Sequence, residues 1–179
     1  MLTDFKGKLL VAHPQTMRDH RFTESVIYIY EQSNEVVLGL MLNKKSNMTL
    51  EDLHSLRGYH NSGACGYLYK GGPVSEQSLL LLHTDDWYSS NTIQVTHGNA
   101  ISSDELMLEK MVTNNMPSDW RLMSGISTWS LSQLQAEVYK HNAWLVVEPN
   151  QSIFYSNDGD DQWTSAIELA SNRMVETFF

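Results

Sequence analysis

Five short segments carry the side chains able to do chemistry. His83 closes the apolar run Leu79 to Leu82 and is followed by Thr84, Asp85 and Asp86. A histidine at a strand end beside carboxylates can act as general base or metal ligand. It suits equally a partly buried ring hydrogen-bonded to a loop carbonyl, and no second ligand or nucleophile stands at a helpful spacing. In Tyr69-Lys70-Gly71-Gly72-Pro73-Val74 the consecutive glycine amides can converge on an anion, with the Lys70 charge beside them. The plainer alternative is a tight connection in which glycine takes positive φ and Pro73 fixes the next dihedral. A G-x-x-x-x-G-K phosphate loop is absent.

Gly125-Ile126-Ser127-Thr128-Trp129 nearly matches the G-x-S-x-G nucleophile elbow. Trp129 stands where the elbow requires a small residue, so Ser127 is discounted as a nucleophile and the segment reads as a loop entering a helix, with Trp129 as a packing anchor. Gln133 and Glu137 lie four apart on that helix and share one face, either lining a pocket near Trp129 or forming the solvated side of an amphipathic helix. Asn157-Asp158-Gly159-Asp160-Asp161 lacks the spacing and the bidentate twelfth-position Glu of a calcium loop, and reads as a solvated turn with helix-capping carboxylates. The seven histidines are dispersed and no H-E-x-x-H occurs, so no metal site and no cofactor is expected.

The elements that must position these residues are short. Leu9 to Ala12, Val26 to Tyr30, Val37 to Leu42, Tyr67 to Lys70, Leu79 to His83, Ile93 to Val95, Trp144 to Val147 and Ile153 to Tyr155 read as strands bounded by turn residues. Ser25 to Tyr30 is apolar or aromatic almost throughout, which predicts a strand covered on both faces, and Ser33-Asn34 predicts a hairpin into the next one. Four helices have start signals: Thr49 before Leu50 to Leu56, Ser102 three residues before Glu105, Ser130 three before Gln133, and Asp160-Asp161 before a helix from Trp163 to about Ala170. The order is not a regular alternation, so the expected fold is a single α+β domain over 1–179 with a mixed or largely antiparallel sheet. The chain ends on two Phe residues with no turn signal, to be packed on the domain or against a second copy in a homo-oligomer.

Composition sets the outer limits. The 179 residues are 41% hydrophobic and 18% charged, enough for one sizeable core. Twelve Lys and Arg against twenty-one Asp and Glu give a net charge of −9 and leave no basic stripe, which opposes tight nucleic-acid binding. The lone Cys65 permits no intramolecular disulfide and no multi-cysteine zinc site, as suits a reducing cytosol. No signal peptide opens the chain, and no apolar stretch nears the roughly 20 residues needed to span a bilayer, so a cytoplasmic protein is expected.

Several ordered segments carry a resemblance. Gly7-Lys8-Leu9-Leu10-Val11-Ala12-His13-Pro14, Phe22 with Ser25 to Tyr28, Gly39 to Asn43, Tyr69 to Val74, Leu82-His83, Trp129 with Gln133-Leu134 and Glu137, and Asn142-Ala143-Trp144-Leu145 together resemble the YqgE/AlgH family of bacterial proteins, also called UPF0301 or DUF179. Phe154 and Trp163 continue the likeness, which covers Gly7 to about Ala170. The resemblance implies one α+β domain with a large, mixed, barrel-like sheet and a family without an established chemistry, whose name reflects a proposed regulatory role in alginate production. Thr128 and Ser132 replace family glycines, and Val36-Val37 replace Gly-Ala, which narrows any close approach near Trp129. Two functions follow. One is a non-enzymatic binding or regulatory protein for another protein or a small anion; the other is a small enzyme centred on His83 with Asp85 or Asp86, in a pocket lined by Asn43, Trp129 and Glu137. Direct DNA binding is a weaker third.

Overall fold

Val26-Ile27-Tyr28-Ile29-Tyr30 is buried along its whole length, as expected of a strand covered on both faces. In the computed structural model, which describes residues 3–60, 63–155 and 159–178, it forms β2 (Val26–Gln32). β2 lies between β1 (Leu9–Ala12) and β3 (Val36–Met41), and Ser33 closes the β2–β3 hairpin by donating its amide to the Val36 carbonyl at 2.8 Å. The remaining strands are β4 (Lys45–Thr49), β5 (Tyr67–Lys70), β6 (Val74–Thr84), β7 (Ile93–Gln94), β8 (Asn99–Ser102), β9 (Trp120–Ser130) and β10 (Trp144–Val147). They join in one sheet whose main path runs β10-β1-β2-β3-β9-β6-β8-β7, with β4 and β5 branching off β9. Only the β5–β9 pair is parallel among the described strands, so the α+β domain has a mixed, mostly antiparallel sheet curled as a half-barrel.

Among the described residues four α-helices flank it: α1 (Leu50–Leu56), α2 (Glu105–Val112), α3 (Leu131–Gln135) and α4 (Gly159–Phe178). Thr49 caps α1 through a reciprocal capping box with Asp52, and Ser130 caps α3 by accepting the Gln133 amide. The cap of α2 differs from the expectation. Ser102 is buried in β8, and Asp104 accepts the Met107 amide at 2.8 Å instead. α4 covers one face of the sheet against Leu9, Val11, Tyr28 and Phe154, whereas α3 closes the other against Leu10, Ile27, Ile29 and Trp144. A third cluster joins α1 and α2 to Leu81 and Leu122.

Three further readings need correction. The Gly125–Trp129 segment is not a loop but the middle of β9, the strand that pairs with β3, β5 and β6. Its serines hide it, because Ser127 is buried with its hydroxyl donating to the Gly71 carbonyl at 3.1 Å, so a polar residue sits where strand periodicity expects an apolar one. Ile153 to Tyr155 is not a strand; a 3₁₀ turn at Gln151–Ile153 is capped by Asn150. α4 runs well past Ala170, and its Met174 and Val175 are exposed rather than packed back. Asn157, Asp158 and the terminal Phe179 lie outside the described residues.

Candidate functional site

The Gly71-Gly72 connection has its conformation fixed by a backbone crossing. Gly71 donates its amide to the Ser124 carbonyl at 2.8 Å and accepts at its own carbonyl from the Met41 amide at 2.8 Å. A Cβ on Gly71 would sit 2.3 Å from the Gly125 carbonyl oxygen, and one on Gly72 would sit 2.2 Å from the Ile126 carbonyl. Glycine is therefore required because two backbones touch. The Gly71 amide already serves a carbonyl, so the pair does not present two free amides to an anion.

The crossing has a consequence on β6. Val74 pairs with Ile126, yet the next paired residue, Leu79, faces Ser124, so Ser75 to Ser78 bulge out of the ladder. Ser75 takes φ +51 at the start of the bulge. Between the bulge, α1, β4 and β5 lies a cleft of about 550 Å³. Met48, Leu53, Leu68 and Leu79 give it an apolar floor; Lys70 and Arg57 supply cations and Glu76 one carboxylate at its rim. Among the described residues neither the Lys70 nor the Arg57 side chain has a hydrogen-bond or ion-pair partner. Gly72 contributes to the wall, whereas Pro73, half-buried, follows it into the bulge.

The remaining chemically suggestive side chains are engaged elsewhere. His83 is completely buried, its Nδ1 at 2.7 Å from the Thr84 carbonyl and its Nε2 at 2.9 Å from Ser102 Oγ, with Trp87 packed edge-on. Burial pushes its pKa down, and Asp86 instead accepts from Thr84 and Ser118. His83 faces Trp120 across β6–β9, four residues along from Ser124, which places it about 14 Å from the glycine crossing. Asn43 is likewise saturated: its Oδ1 accepts from the Val26 amide at 2.9 Å, and its Nδ2 donates to the Glu24 and Gly159 carbonyls at 2.8 and 3.1 Å. Asn43 thus lies in the β3–β4 connection, beside the Met41 amide and Lys44 carbonyl that bond to Gly71 and Lys70, with its own side chain turned to Val26, Glu24 and Gly159, whereas His83 sits farther along the sheet. Among the described residues no group of three His, Cys, Asp or Glu side chains is placed to hold a metal ion.

Beside the cleft, on α1, His54 is 2% exposed with neither ring nitrogen hydrogen-bonded, and desolvation lowers its pKa. The unfolded chain takes up the proton first as pH falls below about 6.5, while the folded chain resists it, so stability declines on acidification. The slope approaches about 1.4 kcal/mol per pH unit for each such histidine between its unfolded and folded pKa. His54→Leu should lose part of this slope while keeping neutral-pH stability within about 1 kcal/mol, since no hydrogen bond is removed. Thermal unfolding at about pH 7.5 and about pH 5.5 measures it; an identical pH dependence in the variant would refute the assignment.

Trp129, Gln133 and Glu137, by contrast, do come together. Glu137 Oε2 accepts from the indole nitrogens of Trp129 at 3.1 Å and Trp144 at 2.8 Å, and Oε1 accepts from Gln133 Nε2 at 3.0 Å. The two indoles meet edge to face at 6.2 Å, and Phe22 packs on both. α3 continues into a π-helical turn at Ala136–Lys140, and the chain reverses at Asn142 with φ +49 to enter β10. That irregular turn lets the backbone of Glu137 accept the Ala143 amide at 2.8 Å while its carboxylate reaches the tryptophans.

The profile of the DUF179 family, described as AlgH-like, matches residues 9–174. The chain belongs to the AlgH-like family. UPF0301 proteins of a Marinomonas species and of Francisella philomiragia are each 32% identical to it, over 92% and 95% of this chain and 88% and 91% of their own lengths. The solution structure of the AlgH protein from Pseudomonas aeruginosa superposes with a TM-score of 0.78 at 25% identity, covering 94% of this chain and 90% of that one. A Corynebacterium diphtheriae protein at 23% identity and TM-score 0.72 shares the fold, covering 91% and 85%.

Thr128 and Ser132 are both exposed. They direct their bulk to solvent rather than between Trp129 and Glu137. Sequence reasoning missed Arg57, Met48 and the bulge residues Glu76 and Gln77, since no motif joins them; only the fold brings α1 over β6. No helix among the described residues is long and apolar enough to cross a membrane.

Proposed function

We propose that this AlgH-like protein is a non-enzymatic binding protein whose cleft beneath the β6 bulge takes a small anionic ligand with an apolar body. The observation that carries the reading is the pair of unneutralised cations, Lys70 and Arg57, at the rim of an apolar floor of Met48, Leu53, Leu68 and Leu79. At about 550 Å³ the cleft suits a small organic molecule. The saturated hydrogen bonding of His83, Asn43 and Ser127 supports binding over catalysis. A regulatory role would run through contact with another protein rather than with DNA, because net charge −9 repels phosphate.

Calorimetric titration with decanoate, decanol and decyltrimethylammonium tests this. Decanoate should bind most tightly, and Lys70→Ala should weaken it about tenfold, or 1.4 kcal/mol. The melting temperature should hardly move, because the exposed Lys70 contributes little to folding. Equal affinity for decanoate and decanol, or an unaltered decanoate affinity in Lys70→Ala, would overturn the reading.

A further inference from the structure

A second cavity, of about 440 Å³, opens between the β1–β2 connection and the end of the π-helical turn. Its walls carry two opposite charges. Glu137 supplies the carboxylate and Arg18 the guanidinium, and Met17, Phe22 and Ala143 add apolar surface. Three donors hold Glu137 in one orientation, but all three are neutral: two indoles and an amide. They fix the charge without pairing it; Arg21, over the Phe22 ring at 5.5 Å, feels that carboxylate only at longer range than an ion pair. Oε1 accepts only one of these hydrogen bonds, so a lone pair remains for a further donor. Among the described residues Arg18 has no ion pair, and Glu137 is in none either. Asp19, which also lines the cavity, is turned to Arg21 at 2.7 Å, and that pairing holds its carboxyl below the usual range. His141 completes the rim.

An oriented anion and an unpaired cation lining one cavity, with an aromatic ring in the same wall, complement a molecule carrying both charges. We propose that this cavity binds a small amino-carboxylate zwitterion, its ammonium on Glu137, its carboxylate on Arg18 and its apolar body on Phe22 and Met17. The Trp129–Trp144 clamp fixes the carboxylate before the ligand arrives, so binding does not have to order it. This site is independent of the cleft at Lys70.

Calorimetric titration with L-leucine and with ε-aminocaproate, whose charges stand close together and far apart, tests the proposal. At least one should bind saturably, and removing either of its charges should weaken binding tenfold or more, about 1.4 kcal/mol. For leucine the one-charge probes are N-acetyl-L-leucine and L-leucinamide; for ε-aminocaproate they are its N-acetyl and amide derivatives. Arg18→Gln, at an exposed end of the loop, should weaken the zwitterion and the N-acetyl compound but not the amide. Glu137→Gln should weaken the zwitterion and the amide but not the N-acetyl compound. Lys70→Ala should change none of these affinities. The proposal is overturned if neither zwitterion binds at concentrations up to about 10 mM, or if the one-charge probes bind as well as the parent. Charge-independent loss in Arg18→Gln would also overturn it, since that variant does not touch the tryptophan clamp.

Discussion

Gly125→Ala should lower stability by about 3–5 kcal/mol, combining dihedral strain with backbone overpacking. Gly125 holds φ +74 in the middle of β9, and a Cβ there would lie 2.3 Å from the Gly72 carbonyl oxygen and 3.1 Å from that of Val74. Neither atom belongs to a flexible side chain. Relief would require the β5–β6 connection to lift off β9, breaking the Gly71 amide bond to Ser124 and the register that makes the β6 bulge. Gly58→Ala separates the two causes. Gly58 has φ +84 with nothing within 4 Å of its missing Cβ, so that variant should show dihedral strain alone, about 1–2 kcal/mol. Urea denaturation midpoints of the two variants decide the matter. Equal losses would show that the crossing is not crowded. A Gly125→Ala protein that still folds should also bind decanoate poorly, because the crossing shapes the cleft.

The crossing shows where the sequence is legible and where it is not. Val26 to Tyr30 announces a doubly covered strand by composition, and Thr49 and Ser130 announce helix starts, because caps and apolar runs are local features. β9 is illegible for the opposite reason. Its Ser124, Gly125 and Ser127 are chosen by contacts with Gly71 and Gly72 more than fifty positions away, and local periodicity cannot register them. The same division holds for the sites. Gln133 and Glu137 can be placed on one helical face by counting, and Trp129 lies nearby in sequence. Asn142 signals the helix stop that turns the chain into β10, but that Trp144 should donate to the same carboxylate oxygen depends on the π-helical turn, which has no strong sequence signal. Lys70 stands out beside its glycines, while Arg57 becomes relevant only once α1 has docked beside β6. His83 misleads because its flanking Asp85 and Asp86 are sequence neighbours that make no hydrogen bond to it; the ring turns inward to Ser102.

Trp144→Ala should cost about 3–5 kcal/mol, the range for removing a buried aromatic side chain. Trp144 is 3% exposed at the head of β10, packs edge-on against Phe22 and Trp129, and donates to Glu137. An unchanged denaturation midpoint would contradict its place in the core. The packing and hydrogen-bonding parts can be separated with Trp144→Phe, which keeps an aromatic ring but deletes the donor and should cost less, with about 1 kcal/mol from the hydrogen bond itself. Trp129→Phe should behave similarly, because Glu137 Oε2 then keeps one of its two indole donors. The double variant removes both, leaving a partly buried carboxylate with only Gln133 to satisfy it. Its loss should exceed the sum of the single losses by about 0.5 kcal/mol or more, the coupling expected of groups sharing one acceptor. In Glu137→Gln that excess should shrink, because the charge that made the donors matter is gone. Strict additivity in the Glu137 background would mean that the two tryptophans act only through their rings, and that the carboxylate between them is not held by the indole nitrogens.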